Sequence, residues 1–213
     1  MIHSDCPLCH GKSIFEYHVD KVRSYVQCSR CSLIFVPPCY HLTPEQEKNV
    51  YDLHENSFED LGYQRFLSRV AEPVSSRFPI HTKGLDFGCG PTPVLAQMLR
   101  MQGYQISTYD LFYDNNPAVL DEAYGFITAT EVFEHLSNPK LILEKLLSQL
   151  DDSGSLFIMT KRVENQQKFS TWHYIRDPTH ITFFSNESFQ YIAEEYALNL
   201  ELIKPDVAVL SKR

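Results

Sequence analysis

The spacing of hydrophobic and polar residues divides the chain into three parts. Within the first 38 residues the apolar side chains alternate loosely, which is typical of a short hairpin. Residues 45 to 78 carry apolar side chains at helical spacing, so we predict two or three helices there, ended by Pro73 and Pro79. From residue 84 onward, short apolar runs alternate with amphipathic stretches. We therefore predict a small N-terminal unit over residues 1–38, a helical linker or lid over 39–80, and an α/β domain over 81–213.

The third part has the pattern of a parallel sheet covered by helices. The apolar strand 84–87 runs into the turn Gly88-Cys89-Gly90, a helical pattern follows, and a second strand ends at Asp110. This order makes a βαβ unit, whose two strands are parallel. The fold class is therefore α/β with a doubly wound sheet, and the last two strands are expected to form an antiparallel hairpin at one edge. Later strands are predicted over 126–130, 156–160, 198–203 and 207–210, and helices over 141–150 and 187–196.

Composition and charge narrow the classes of function. The chain has 213 residues, of which 43% are hydrophobic and 22% charged, which is the composition of a folded protein. Its 19 basic and 27 acidic side chains give a net charge of −8, which argues against general affinity for nucleic acid but leaves room for a local basic patch. No apolar run approaches the ~20 residues that span a bilayer, and the first residues lack a signal-peptide pattern. We expect a cytoplasmic protein without a membrane partner.

Four cysteines at the start of the chain have the spacing of a metal site. Cys6 and Cys9 form one C-x-x-C pair, Cys28 and Cys31 form another, and eighteen residues separate the pairs. Two intervening residues let both sulfurs of a pair reach one ion, and two such pairs complete a tetrahedron. The sequence predicts a zinc ribbon whose zinc is structural, because four protein ligands leave no open position. A protein partner that binds through this ribbon is a further expectation.

The glycine turn is placed where ligands of doubly wound sheets bind. Gly88 and Gly90 permit unusual backbone angles and let a ligand lie against the main chain, and Asp110 is placed to accept hydrogen bonds from a ribose. A plain tight turn and a dinucleotide site are the alternatives. A dinucleotide fingerprint would need a glycine where Pro93 stands, and Asp86 would repel a pyrophosphate but suits a cationic ligand.

Three segments together resemble the class I S-adenosylmethionine-dependent methyltransferases. They are L-D-F-G-C-G at 85–90, the strand-end Asp110, and E-V-F-E-H-L at 131–136. The segment W-H-Y-x-R-D-P-T-H-I-x-F-F at 172–184 is similar to a bacterial group of these enzymes with an N-terminal zinc ribbon. The resemblance implies a Rossmann-like methyltransferase sheet with bound S-adenosylmethionine. It assigns cofactor contacts to Asp86, Gly88, Cys89, Gly90, Asp110, Thr130 and Glu131.

Two departures from the family pattern affect this prediction. Thr92 stands at the family's third glycine, between two prolines, which stiffens the turn. Only fifteen residues lie between Asp110 and Phe126, so the usual helix and third strand must be shortened. The acid that would bind adenine is therefore hard to place, with Asp121 or Glu122 as candidates.

An acidic and histidine cluster is the candidate for catalysis. Glu131, Glu134 and His135 are spaced i, i+3 and i+4, so they would share one face if a helix begins just after Thr130. The pattern resembles the metal-binding segment of small-RNA 2′-O-methyltransferases and of ubiquinone-pathway O-methyltransferases. In the former a later histidine completes the site, and the resemblance would give that part to His180 here. Three interpretations stay open: a second divalent metal held by these four residues, a metal-free general base at His135 or His180 oriented by Glu131 or Glu134, and purely structural roles.

The sequence therefore predicts a methyltransferase that acts on a small-molecule acceptor. The reaction would be an in-line transfer of the methyl group, assisted by a histidine base. The alternatives are an RNA or protein methyltransferase in which the ribbon recognises the macromolecule, and a non-catalytic protein that binds S-adenosylmethionine or a partner. A dehydrogenase ranks last, because the turn departs from the dinucleotide pattern.

Overall fold

Two β-sheets make up the fold in the computed structural model, which describes residues 5–53 and 56–213. The strands in chain order are β1 Ile14–Val19, β2 Ser24–Cys28, β3 Ile34–Phe35, β4 Lys83–Phe87, β5 Gln105–Tyr109, β6 Tyr124–Thr130, β7 Leu150–Met159, β8 Thr182–Phe183, β9 Asn199–Ile203 and β10 Val207–Ser211. The helices are α1 Pro44–Tyr51, α2 Leu61–Arg77, α3 Val94–Met101, α4 Pro139–Ser148, α5 Gln166–Phe169 and α6 Asn186–Glu195.

The larger sheet has six strands in the order β5-β4-β6-β7-β10-β9. Its first four strands are parallel, whereas β10 runs antiparallel to both β7 and β9. The predicted α/β fold with a doubly wound sheet and an antiparallel hairpin at its edge is confirmed. Since the parallel strands all end at the same edge of the sheet, the residues that follow β4, β5, β6 and β7 are brought together there.

Alternate residues of the central strands face two separate cores. Phe126 and Phe157 belong to the core that packs against α2 and α3. Ile127 and Leu156, their neighbours along the strands, belong to the core that packs against α4 and α6. This is the arrangement expected of a sheet covered on both faces, because successive side chains of a strand point to opposite sides. In the described residues no helix is both long and apolar enough to cross a membrane.

Helix α2 differs from its prediction, because Pro73 lies inside the helix and does not end it. A proline inside a helix removes one backbone hydrogen bond, which costs ~3 kcal/mol when nothing offsets it. Val70, Ala71 and Val74 are buried on either side of Pro73, so burial of this face favours continuing the helix to Arg77.

The segment between β5 and β6 is as short as the sequence indicated. It forms a single 3₁₀ helix, Pro117–Asp121, and among the described residues no strand pairs with the outer side of β5. Lys145 bonds Asp121 and Lys83 bonds Glu122, so both candidate adenine-binding acids lie in exposed ion pairs.

The smaller sheet joins the N-terminal unit to a distant part of the chain. Its order is β1-β2-β3-β8, with antiparallel neighbours throughout. Strand β8 comes from residues 182–183, and its pairing with β3 sets Ile34 opposite Phe183. Around this contact Tyr25, Phe169 and Phe183 pack edge to face, with ring centroids 5.2 to 5.8 Å apart. The N-terminal hairpin is thereby fixed to the segment that follows β7.

Candidate functional site

The turn after β4 needs glycine at two positions for different reasons. Gly88 has φ +75°, and a Cβ there would lie 2.3 Å from Cγ2 of Val132. Gly90 has φ +66°, but a Cβ there would meet no atom within 4 Å. The first glycine thus allows close packing against the segment after β6, whereas the second borders open space in which a ligand can approach the main chain.

Asp110 ties the glycine turn to the loop after β5. One of its carboxylate oxygens accepts a hydrogen bond from the Gly90 N–H at 3.0 Å. The other accepts from the N–H groups of Phe112 at 2.9 Å and Tyr113 at 3.1 Å. A carboxylate offers about four acceptor positions, so these three donors leave room for roughly one further hydroxyl donor.

Asp86 precedes the turn and Cys89 lies within it, and burial raises the pKa of both side chains. Asp86 is only 3% exposed and accepts a hydrogen bond from the Thr128 hydroxyl at 2.8 Å. Burial raises the pKa of Asp86 to about 6 and that of the half-buried Cys89 thiol to about 12. Asp86 therefore lies within the sheet, and the atoms of the turn that border open space belong to its backbone.

The segment after β6 contradicts the predicted helix. Glu131 adopts a left-handed conformation with φ +53°, and only a short 3₁₀ helix, Phe133–His135, follows. The Glu131 N–H donates to the Met159 carbonyl at 2.8 Å, which extends the pairing of β6 with β7 by one residue. Glu131, Glu134 and His135 therefore do not share the face of one helix.

Two buried polar atoms at this strand end have no hydrogen-bond partner. They are the Thr130 hydroxyl oxygen and one carboxyl oxygen of Glu131. Burial, followed by the neighbouring charge of Glu134, raises the pKa of Glu131 to about 9, so its carboxyl group is protonated at neutral pH. An unpartnered buried polar group costs free energy, and its presence at the mouth of a sheet is typical of a ligand site.

Glu134 is fully buried behind this strand end. The Tyr174 hydroxyl donates to one of its carboxyl oxygens, and the other oxygen has no partner. Burial raises the pKa of Glu134, whereas the charge of His180 acts in the opposite direction. Tyr174 belongs to the segment 172–184 of the family resemblance, but the sequence gave no signal for its hydrogen bond to Glu134, because the two residues are forty positions apart.

His135 and His180 come together as a pair, with ring centroids 4.8 Å apart. Nδ1 of His135 lies 3.1 Å from the Thr179 carbonyl oxygen, and Nδ1 of His180 lies 2.8 Å from that of Tyr174. A carbonyl oxygen only accepts hydrogen bonds, so each Nδ1 carries a proton and donates it. Burial lowers the pKa of His180, which keeps this ring neutral.

A carboxylate also lies near the pair. Nε2 of His180 is 3.8 Å from a carboxylate oxygen of Asp177, which belongs to the segment 172–184 of the family resemblance. The ligand atoms of Glu134, His135 and His180 lie within 4.8 Å of one another, whereas Glu131 is not part of this group. Three of the four predicted metal ligands are therefore close enough to bind one divalent ion.

The cysteine cluster is compatible with zinc. The sulfur atoms of Cys6, Cys9, Cys28 and Cys31 lie within 4.8 Å of one another, and all four residues are buried. The sulfurs of Cys6 and Cys31 are 3.5 Å apart, and those of Cys9 and Cys28 are 3.4 Å apart. Tetrahedral zinc with bonds of about 2.3 Å separates its sulfurs by about 3.8 Å. A zinc ion therefore fits after small shifts of the side chains.

Helix α1 lies across the mouth of the larger sheet. The Tyr51 ring is 5.2 Å from that of His135 and 5.9 Å from that of Phe112, in the loop after β5. Near the same loop, the Tyr113 hydroxyl donates to a carboxylate oxygen of Asp52 at 2.7 Å. The helix thus connects the Asp110 loop to the histidine pair. No pattern in the sequence indicated this position, since it depends on tertiary packing alone.

In a comparison with known proteins, the chain matches one protein family and resembles the folds of many solved structures. Residues 56–203 match the family described as a methyltransferase domain. A comparison with curated protein sequences found no match.

Several solved methyltransferases share the fold at low sequence identity. One is the 1,6-didemethyltoxoflavin-N1-methyltransferase of Burkholderia thailandensis, with bound 1,6-didemethyltoxoflavin and S-adenosylhomocysteine (TM-score 0.59, 11% identity, 92% of this chain and 98% of that chain covered). Another is a putative S-adenosyl-L-methionine-dependent methyltransferase of Methanococcus maripaludis (TM-score 0.53, 15% identity, 79% and 92% covered). A third is an O-methyltransferase family protein of Burkholderia thailandensis (TM-score 0.51, 11% identity, 69% and 56% covered). The chain spans only 52% of the length of a further matched structure.

Proposed function

Because the chain belongs to the methyltransferase-domain family, we propose that it uses S-adenosylmethionine to methylate an oxygen or nitrogen atom of a small-molecule acceptor. The observation that carries this proposal is the pair of histidines at the carboxyl edge of the sheet, beside the strand end that holds two unpartnered polar atoms. The small-molecule substrate in the toxoflavin methyltransferase structure accords with it.

The residues at the strand ends would hold the cofactor. S-adenosylmethionine supplies an activated methyl group on a positively charged sulfur. The backbone at Gly88, Cys89 and Gly90 would lie against it, and Asp110 would accept a hydrogen bond from its ribose. Thr130 and Glu131 offer the unpartnered oxygens that its polar end needs, with Asp86 supporting the turn from within the sheet.

A histidine would remove the proton of the acceptor. Methyl transfer needs in-line alignment, which can supply ~7–11 kcal/mol, and a base for an oxygen or nitrogen nucleophile. Nε2 of His135 or of His180 is the atom that would take the proton. The carbonyl oxygens of Thr179 and Tyr174 orient the rings, and the buried Glu134 would stabilise the charge that forms.

Histidine substitutions test this assignment. We expect His135→Ala or His180→Ala to lose at least ~100-fold in turnover while retaining affinity for S-adenosylhomocysteine in calorimetry. His81→Asn, before the opposite end of β4, is the matched control and should keep full activity. Full activity in both alanine variants on a panel of small acceptors would exclude a histidine base.

A second divalent metal at Glu134, His135 and His180 is a separate proposal. It rests on the closeness of their ligand atoms and on the unpartnered oxygen of Glu134. Two imidazoles and a carboxylate suit a divalent transition metal, which would act as a Lewis acid on the acceptor oxygen. Turnover that is unchanged after treatment with a chelator and restored by no added metal would leave the metal-free base as the explanation.

We also propose that Cys6, Cys9, Cys28 and Cys31 bind a structural zinc. Their closed donor set and burial support it, and a four-thiolate zinc takes no part in the reaction. Binding of a protein partner through this unit, and a cytoplasmic location, remain predictions from the sequence.

A further inference from the structure

A cavity of about 310 Å³ opens at the carboxyl end of β7. This volume lies at the lower end of the range of small-molecule sites. Its wall combines positive charge with aromatic rings, contributed mainly by Arg69, Lys161, Arg162, Lys168, Phe169 and Trp172.

Of the four basic side chains that line this cavity, only two form ion pairs with its carboxylates. Its two carboxylates, Asp206 and Glu164, pair with Arg69 and with Lys168. Lys161 and Arg162 make no ion pair within the described part of the chain. The Lys161 amine lies 3.0 Å from Nε2 of His173, and the Arg162 guanidinium donates only to the carbonyls of Val207 and Ile203.

Such a concentration of positive charge is unusual on this chain, whose net charge is −8. Lys161 and Arg162 directly follow Thr160, whose N–H donates to the Asp206 carbonyl at 3.0 Å. The backbone hydrogen bond fixes the start of this segment. Two uncompensated cations in a concave site attract an anion, because low-dielectric walls strengthen the local field.

The cavity lies beside the proposed cofactor site. In the pairing of β6 with β7, Thr130 is opposite Met159, so Glu131 and the residues after Thr160 share one edge of the sheet. Neighbouring strands are about 4.8 Å apart, which places the end of β7 roughly 10 Å from the glycine turn after β4. A molecule in the cavity would therefore lie on the far side of Glu131 from that turn.

Aromatic rings form part of the cavity wall. Phe169 and Trp172 both line it, with ring centroids 6.1 Å apart. Trp172 also packs on Tyr174 at 4.8 Å, and Tyr174 donates to Glu134. The wall is thus fixed to the residues that surround the histidine pair.

We propose that this cavity binds the acceptor, and that the acceptor is an anion that carries a carboxylate or phosphate group next to a ring. The proposal rests on the function proposed above and adds the chemical class of the substrate. Lys161 and Arg162 would bind the anionic group, while Trp172 would pack against the ring.

Tryptophan fluorescence reports directly on this cavity, because Trp172 in its wall is the single tryptophan of the chain. Phenyl phosphate, benzoate and neutral benzyl alcohol are titrated into the full-length protein while tryptophan fluorescence is recorded. We expect a saturable change with at least one of the two anions and none with benzyl alcohol. The anion that binds more tightly identifies phosphate or carboxylate as the recognised group.

Three variants assign the effect to Lys161. We expect Lys161→Gln to weaken binding of the anion about tenfold, since hydrogen bonds to charged groups are the strong ones. Lys161→Arg keeps the charge and should restore most of the affinity. Lys83→Gln, at the opposite end of the sheet, removes the same charge and should bind as the wild type does.

Calorimetry with S-adenosylhomocysteine separates the two proposals. Suppose that S-adenosylhomocysteine binds. The proposal of an anionic acceptor is then wrong if neither anion binds, if benzyl alcohol binds equally well, or if Lys161→Gln binds the anion as the wild type does. The proposed function stands in each of these cases. If Lys161→Gln also loses S-adenosylhomocysteine, the cavity belongs to the cofactor and the assignment is overturned. Failure of the wild type to bind S-adenosylhomocysteine would contradict the proposed function itself.

Discussion

Glu131 shows how one residue can combine backbone strain with an unusual charge state. Its left-handed φ of +53° is uncommon for a residue other than glycine, and such strain clusters at functional sites. The conformation lets the chain leave β6 while its N–H still bonds the Met159 carbonyl. It also buries a carboxyl oxygen without a partner. We infer that a ligand supplies that partner.

The raised pKa of Glu131 predicts how stability depends on pH. The carboxyl group ionises near 4.5 when unfolded and near 9 when folded, so the unfolded state binds fewer protons between these values and stability falls as pH rises. The amide of Glu131→Gln does not ionise, so this variant does not lose stability in this way as the pH rises. We expect the variant to gain about 1–3 kcal/mol over the wild type between pH 5 and pH 8 in urea denaturation without ligand. The exposed Glu194→Gln should show no gain, and an equal pH dependence in the wild type and Glu131→Gln would contradict the prediction.

The two turn glycines should respond differently to alanine. Gly88→Ala places a methyl group 2.3 Å from Val132, so we expect a loss of ~2–4 kcal/mol in the free energy of unfolding. Gly90→Ala meets no atom and should lose only ~1 kcal/mol through its positive φ. Calorimetry should nevertheless show at least tenfold weaker binding of S-adenosylhomocysteine to Gly90→Ala. Unchanged affinity in that variant would mean that the cofactor does not lie against this residue.

At the scale of elements, the chain between β7 and α6 carries one histidine of the pair and much of the basic cavity on short pieces of structure. It contains α5, a 3₁₀ helix over His173–Arg176, and β8. Tyr174 and His180 belong to this segment, and Ile181 N–H donates to the Glu134 carbonyl at 2.8 Å. Its order depends on neighbours, because pieces this short are not stable alone.

Removal of zinc should therefore affect more than the N-terminal unit. We expect one zinc per chain by elemental analysis. Cys28→Ser should lose the metal, lower the melting temperature by several degrees and reduce turnover, because β3 pairs with β8 just beyond His180. Cys39→Ser, which alters an exposed free thiol, is the control and should retain metal and activity. A metal-free Cys28→Ser protein with normal turnover would contradict the link.

The sequence predicted those elements whose signal is local. Apolar spacing and the glycine turn predicted the βαβ unit with its neighbouring helices, and cysteine spacing predicted which thiols come together. Three features of the structure were not predicted from the sequence. Helix α2 continues through Pro73 because of packing, Glu131 turns left-handed where a helix was expected, and β8 pairs with a strand almost 150 residues earlier. Each of these depends on contacts between distant residues, which no periodicity records.

For the whole molecule, the candidate sites form a continuous path along one edge of the larger sheet. Gly90 and Asp110 lie at the ends of β4 and β5, Glu131 at the end of β6, and the basic cavity at the end of β7. The order of the strands would thus set the order of the proposed cofactor site, Glu131 and the proposed acceptor site. This arrangement was only partly visible in the sequence, because strand order is not encoded by local spacing.

Binding of the cofactor product should stabilise the entire fold. At 100 times its dissociation constant, S-adenosylhomocysteine would add about 2.7 kcal/mol to the free energy of unfolding. For a chain of this size we expect the melting temperature to rise by roughly 5–10 °C in differential scanning fluorimetry. NAD at equal concentration is the control and should cause no shift. A shift with NAD alone would instead favour the dehydrogenase interpretation.

The pairing of β3 with β8 couples the N-terminal unit mechanically to the segment that follows β7. Ile34 and Phe35 are aligned with Phe183 and Thr182, and the Thr182 hydroxyl donates to the Phe133 carbonyl at 2.7 Å. The cysteine hairpin, the segment that carries His180 and the exit from β6 are therefore connected through two consecutive residues. A partner that shifted the hairpin would also shift this segment, so we expect binding at the N-terminal unit to change the position of the imidazoles.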